Sequence, residues 1–156
     1  GEMSYLPQVP IYKEWNEDHP DTYIKAYVKT IYEFGNMIEI RTASRVHGLS
    51  PFVRMIDRET QWTGYRSLDT LIPTLLQMNI IGYPFVLPDM IGGNSYNGTS
   101  LTEELYVRWL QISVFMPALQ FSLPPWNFSN KVMLINLGKL YNTARLLLET
   151  PSRWNE

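Results

Sequence analysis

The chain has 156 residues, no cysteine, a formal charge of -2 and 45% apolar residues. That is one ordinary domain with enough apolar side chains for a core, which excludes a disordered chain. The charge and the lack of any Lys/Arg-rich run exclude a nucleic-acid partner, and the missing cysteines exclude disulfides, thiolate metal sites and thiol nucleophiles.

Taken in chain order, residues 19–35 place Tyr23, Ala26, Tyr27, Ile31 and Phe34 at three- and four-residue spacing, with Asp21 near the start and Gly35 as a stop, which predicts a helix. Met37 to Arg41 alternates apolar and polar residues, and Pro51 to Ile56 follows as a second short strand. Helical spacing returns from Leu68 to Met78. Tyr83 to Leu87 is extended between prolines, and Gly92-Gly93-Asn94 opens a flexible loop. Glu103 to Val114 is amphipathic with acidic residues in its first turn, Met116 to Phe121 is a strand, and Lys131 to Glu149 is a leucine-rich closing helix.

Strands alternating with helices point to an α/β fold with a parallel sheet, closed as a barrel or open and doubly wound. An open sheet that binds phosphate carries a Gly-rich loop. Gly92-Gly93 has neither the dinucleotide spacing nor the Lys-Ser/Thr of a P-loop. Polar residues collect instead at the carboxyl ends of the strands, namely Arg41, Asp57, Asp89 and Gln120-Phe121-Ser122, the rim where a (β/α)8 TIM barrel carries its catalysis. Four strands cannot close eight, so residues 1–156 are expected to be a partial barrel domain, its second half, strands 5 to 8.

Asp57 ends the run Phe52-Val53-Arg54-Met55-Ile56, with Trp62 five residues behind it, and Asp89 ends a second extended run, Gly82 to Pro88. Two strand tips thus deliver carboxylates to one edge. Each has a blander reading: Asp57 as a helix cap or surface partner of Arg54, Asp89 as the start of a turn, and Arg108 as a tie between helices. Trp62 and Trp126 offer flat faces for a sugar ring, although a tryptophan is by default a packing residue. His19 and His47 lack a partner at ligand spacing, so neither a metal nor another cofactor is expected.

Asp57-Arg58-Glu59-Thr60-Gln61-Trp62, the run Gly82-Tyr83-Pro84-Phe85-Val86-Leu87-Pro88-Asp89-Met90-Ile91-Gly92-Gly93, and Glu104-Leu105-Tyr106-Val107-Arg108-Trp109 resemble three ordered motifs of glycoside hydrolase family 31. Within the family the resemblance leans to the α-galactosidase-like, myogenesis-regulating glycosidase branch, through the Tyr83–Met90 run and Phe115–Ser122. Gln120-Phe121-Ser122 stands where most members have Arg-x-His, and Ile56-Asp57-Arg58 where most have Gly-Asp-Asn.

The resemblance implies a retaining α-glycosidase acting on α-galactosides or α-glucosides. Asp57 would be the general acid/base, Arg41 a contact to a sugar hydroxyl or to the nucleophile, Asp89 a hydroxyl acceptor and Trp62 a substrate-binding residue. Gly1-Glu2 looks like the end of the family's nucleophile segment, which places the nucleophile just before residue 1. Such chemistry needs two carboxyls about 5 to 5.5 Å apart, one attacking the anomeric carbon and one protonating the departing oxygen. Arg58, which would oppose protonation of Asp57, is expected to turn away from the pocket.

Two other classes stay open: a non-catalytic carbohydrate-binding or chaperone-like homologue, and a domain used for protein contacts. The triplets Asn97-Gly98-Thr99 and Asn127-Phe128-Ser129 read as glycosylation acceptors and point to the secretory pathway, as endoplasmic-reticulum lumen or extracellular space. Any membrane anchor is expected outside this chain, because no stretch reaches the roughly 20 apolar residues of a span.

Overall fold

The computed structural model describes residues 13, 20–95, 98, 100–128, 138–140 and 142–143. Gly1-Glu2, Asn97 and most of the predicted closing helix 131–149 lie outside the described residues.

Helix α1 spans Pro20–Ile31, with proline at its first position, Asp21 in the first turn and Lys29 in the last, as the helix dipole favours. Ile24 and Val28, one turn apart, bury against the sheet. A 3₁₀ turn at Tyr32–Phe34 ends at Gly35, whose φ of 125 suits only glycine. Helix α2 spans Leu71–Ile80 and is led in by a 3₁₀ turn at Leu68–Thr70. Helix α3 spans Glu103–Ser113; the Thr102 side chain caps it by accepting from the Leu105 N–H at 3.3 Å, with Glu103 and Glu104 in its first turn.

The strands are β1 (Glu39–Ile40), β2 (Phe52–Arg54), β3 (Val86–Leu87), β4 (Met90–Ile91) and β5 (Gln120–Phe121). β1, β2 and β3 pair in that order, all parallel, with Ile40 beside Val53 and Val53 beside Val86. β4 pairs β5, also parallel. Only Pro88 and Asp89 separate β3 from β4: proline lacks a ladder N–H and Asp89 has a φ of 70, so one extended run bends there and changes neighbours. Strands therefore lie side by side in chain order, as in a barrel wall, whereas a doubly wound sheet reverses its order at a switch point.

The sequence expected strand from Met116, but the strand begins at Gln120: the Met116 N–H bonds back to the Ser113 carbonyl, prolonging the turn that ends α3. β4 forms at Met90–Ile91, between the expected strand and the expected Gly92-Gly93-Asn94 loop. Between β1 and β2 the chain crosses with only a 3₁₀ turn, His47–Leu49, instead of a helix.

The register puts Ile40, Val53 and Val86 on the helix-covered face, where they join α1 and α2 through two adjoining apolar clusters centred on Val28 and Trp109. Period-two alternation puts Glu39, Phe52, Arg54 and Leu87 on the other face. Phe52 and Phe85 meet on that side with ring centroids 5.5 Å apart.

Candidate functional site

Arg41 follows β1 directly, Asp57 lies just past β2 and Asp89 just past β3; because these strands are parallel, all three residues occupy the same edge. Arg41 Nη2 and Asp57 Oδ1 form an ion pair at 2.8 Å, with the two side chains 40% and 23% exposed. A pair this open adds little stability, so its consequence is orientation. Among the described residues, Arg41 and not Arg54 forms the ion pair with Asp57.

Arg54 turns the other way. Its Nη2 donates to Asp89 Oδ1 at 2.5 Å, its Nη1 donates to Gln120 Oε1, and Glu39 Oε1 stands 3.5 Å from Nη1. The Asp89 side chain has no exposed surface. Its Oδ2 accepts from the Arg58 backbone N–H and from Asn94 Nδ2, both at 2.8 Å. A buried carboxylate has to be matched in this way, because an unpaired one is strongly penalised. Read as a direct hydroxyl acceptor, Asp89 meets this geometry as a residue already holding three protein donors.

The loop after β2 and the loop after β4 are zipped together behind these groups. The Asn94 N–H donates to the Arg58 carbonyl at 2.9 Å, and the Ser95 N–H to Thr60 Oγ1 at 2.8 Å. The Arg58 side chain runs into the interior, its Nη1 donating to Thr70 Oγ1 at 2.7 Å and its Nη2 to the Met55 sulfur at 2.9 Å. Burial pulls the Arg58 guanidinium below its ordinary value, while Asp89 pushes it back up and Arg66 lowers it further.

Two hollows adjoin the sheet. One of about 290 Å³ lies on the Arg54 face and is lined by Met37, Glu39, Phe52, Leu87, Leu119 and Gln120. The other, of about 510 Å³, includes Arg41, Arg45, His47, Ile56, Thr74 and Tyr83 in its wall and has the size of a small-ligand pocket. Asp57, Asp89 and Trp62 are outside both walls. Trp62, a residue 44% exposed, sits in the loop between β2 and α2, and Trp126 is exposed in a 3₁₀ turn after β5. His47 meets Tyr83 edge-on at 5.8 Å. Among the described residues no three His, Cys, Asp or Glu side chains gather as a metal site, and no helix is long and apolar enough to cross a membrane.

Sequence reasoning places Arg41 and Asp57 at strand ends on one edge but does not pair them, offering Arg54 as the partner of Asp57, and it underrates Arg54, Asn94 and Gln120. One signal was available for Arg54: a charge inside the apolar run Phe52–Ile56, on the Phe52 face, must find a counter-charge. Asn94 bridges Asp89, five residues before it, to the Arg58 carbonyl of the other loop, and only the second partner is distant in sequence.

A family model for the glycosyl hydrolases family 31 TIM-barrel domain matches residues 16–139. The chain is 38% identical over 144 residues to myogenesis-regulating glycosidase of Mus musculus, covering 86% of this chain and 20% of that protein. It is 41% identical over 119 residues to SITS-binding protein of Tetronarce californica, covering 76% and 17%. Lysosomal alpha-glucosidase of Rattus norvegicus is 34% identical over 110 residues, covering 57% and 11%. The chain spans a fifth or less of the length of these relatives.

Proposed function

The chain belongs to glycosyl hydrolases family 31, whose domain is a (β/α)8 barrel, and on that premise we propose that it forms part of the catalytic barrel of a retaining α-glycosidase with Asp57 as general acid/base. The observation that carries this is the ion pair of Arg41 with Asp57 at the carboxyl edge of parallel β1 and β2, the edge on which such barrels perform catalysis. Asp57 is open enough to meet a glycosidic oxygen and is held by a partner that fixes its direction.

In this reading the missing half of the chemistry, a nucleophilic carboxylate, comes from outside the described residues, and residues 1–156 supply strands 5 to 8 of the barrel. Substrate binding draws the Arg41 guanidinium toward a sugar hydroxyl or toward that nucleophile. Released from the guanidinium, Asp57 takes up a proton from solvent, gives it to the departing oxygen and afterwards takes one from the attacking water. Trp62 borders the sugar, and Asp89 acts from beneath by holding the loops in place. The substrate is a carbohydrate in α linkage, galactoside or glucoside. The lysosomal relative and the exposed Asn127 favour the secretory pathway.

A second reading is a carbohydrate-binding homologue without catalysis; one relative, SITS-binding protein, is named for binding and not for hydrolysis. Turnover separates the two. Full-length protein and its Asp57→Asn variant are assayed on nitrophenyl α-galactoside and α-glucoside. The enzyme reading expects cleavage by the parent and a loss in the variant of about a hundredfold or more. Equal turnover removes Asp57 from the chemistry, and binding without turnover by the parent selects the second reading.

A further inference from the structure

Arg54 ends β2 between buried Val53 and buried Met55, yet its guanidinium reaches two other strands and the bend between β3 and β4. Nη2 holds Asp89 at the β3–β4 bend, Nη1 holds Gln120 on β5, and Glu39 on β1 lies 3.5 Å from Nη1. Asp89 carries the constraint onward, because its Oδ2 binds the Arg58 N–H at 2.8 Å, and that amide closes the peptide bond following Asp57. The bonds to the Asp89 carboxylate are charge-assisted, a class shorter and stronger than neutral hydrogen bonds, and the Asp89 side chain is closed to solvent, whereas the Glu39 side chain at the outer end is 45% exposed.

From this geometry we propose that Arg54 is a positioning residue for Asp57: by joining Asp89 to Gln120 it fixes the backbone from which the Asp57 carboxyl projects. The proposal rests on the reading of Asp57 as proton donor. A lysine at position 54 would keep the charge but, as a single point donor, would not span Asp89 and Gln120 in fixed directions. A proton donor displaced by a fraction of an ångström loses much of its effect, since positioning to about half an ångström separates productive from idle geometry.

The test uses full-length protein and two leaving groups on the same sugar. A methyl α-glycoside leaves as an alkoxide and requires the proton; a dinitrophenyl α-glycoside leaves as a stable phenolate and does not. Arg54→Lys is expected to lose about tenfold or more in kcat/KM on the methyl glycoside, with the dinitrophenyl glycoside changed by less than about threefold. Gln120→Leu, which removes only the outer anchor, shows the same skew at smaller size and decides the matter if thermal melting shows that Arg54→Lys does not fold. Equal losses on both leaving groups, or no loss in a folded variant, overturn the proposal. Asp57→Ala run alongside keeps the two readings apart: a skew there without one in the position-54 and position-120 variants sinks the positioning role alone. No skew in Asp57→Ala, or a parent inactive on both glycosides, sinks the underlying assignment and the positioning role with it.

Discussion

Tyr106 and Asp89 show how individual residues set conditions on this site. Tyr106 is fully buried in the cluster around Trp109, where its hydroxyl donates to the Leu123 carbonyl at 2.9 Å, just past β5. Burial raises its pKa from 10.0 to about 12, because a phenolate would lose its hydration. The folded state keeps the proton that the unfolded state has given up, so this contribution is whole below pH 10 and is lost as pH climbs toward 12. Tyr106→Phe should lower stability by about 1 kcal/mol at neutral pH by leaving the Leu123 carbonyl unpaired. The gap between variant and parent in urea unfolding should narrow at alkaline pH, and a constant or widening gap would contradict the account. Asp89 contributes in another way: its left-handed backbone, unusual for a residue with a side chain, is held by three donors to its carboxylate.

The elements that matter most at the site are the two loops leaving β2 and β4, which act as one body. Gly93 is the tightest point of their contact. It has a φ of +77, and a Cβ there would stand 2.8 Å from the backbone of both Glu59 and Thr60. Gly93→Ala should therefore cost about 2 to 5 kcal/mol, summing a strained backbone and a steric push into atoms that have no side-chain freedom to yield. Gly48→Ala, where an added Cβ meets nothing within 4 Å, should stay within about 0.5 kcal/mol. Thermal melting of the pair checks this, and similar losses in both would dissolve the idea of a locked loop pair. Helices α1, α2 and α3 were legible in the sequence because apolar spacing and end signals agree, down to Gly35 as the stop. The strands were legible in place but not in extent. Two- and three-residue strands leave too few positions for alternation; the Met116 turn closes locally on the Ser113 carbonyl, and the bend at Pro88-Asp89 is held by Arg54, Arg58 and Asn94.

For the molecule as a whole, parallel strands in chain order carry polar residues, Asp57 and Asp89 among them, to one edge. The shared rim of Arg41 and Asp57 was legible from strand ends and the family resemblance, but their ion pair was not, since the resemblance assigns Arg41 to a sugar hydroxyl or the nucleophile. The Arg54–Asp89–Gln120 network was not, since it joins residues up to 66 positions apart and depends on which face of β2 meets which strand. The most direct measurement follows from the double displacement by which retaining glycosidases work. Replacing the acid/base leaves a glycosyl-enzyme intermediate that water attacks slowly, whereas azide needs no base to attack it. Full-length protein bearing Asp57→Ala, given a dinitrophenyl α-galactoside or α-glucoside with added azide, should be accelerated and should yield the α-glycosyl azide. An absence of acceleration, or a β-glycosyl azide as product, would contradict the assignment of Asp57 as acid/base.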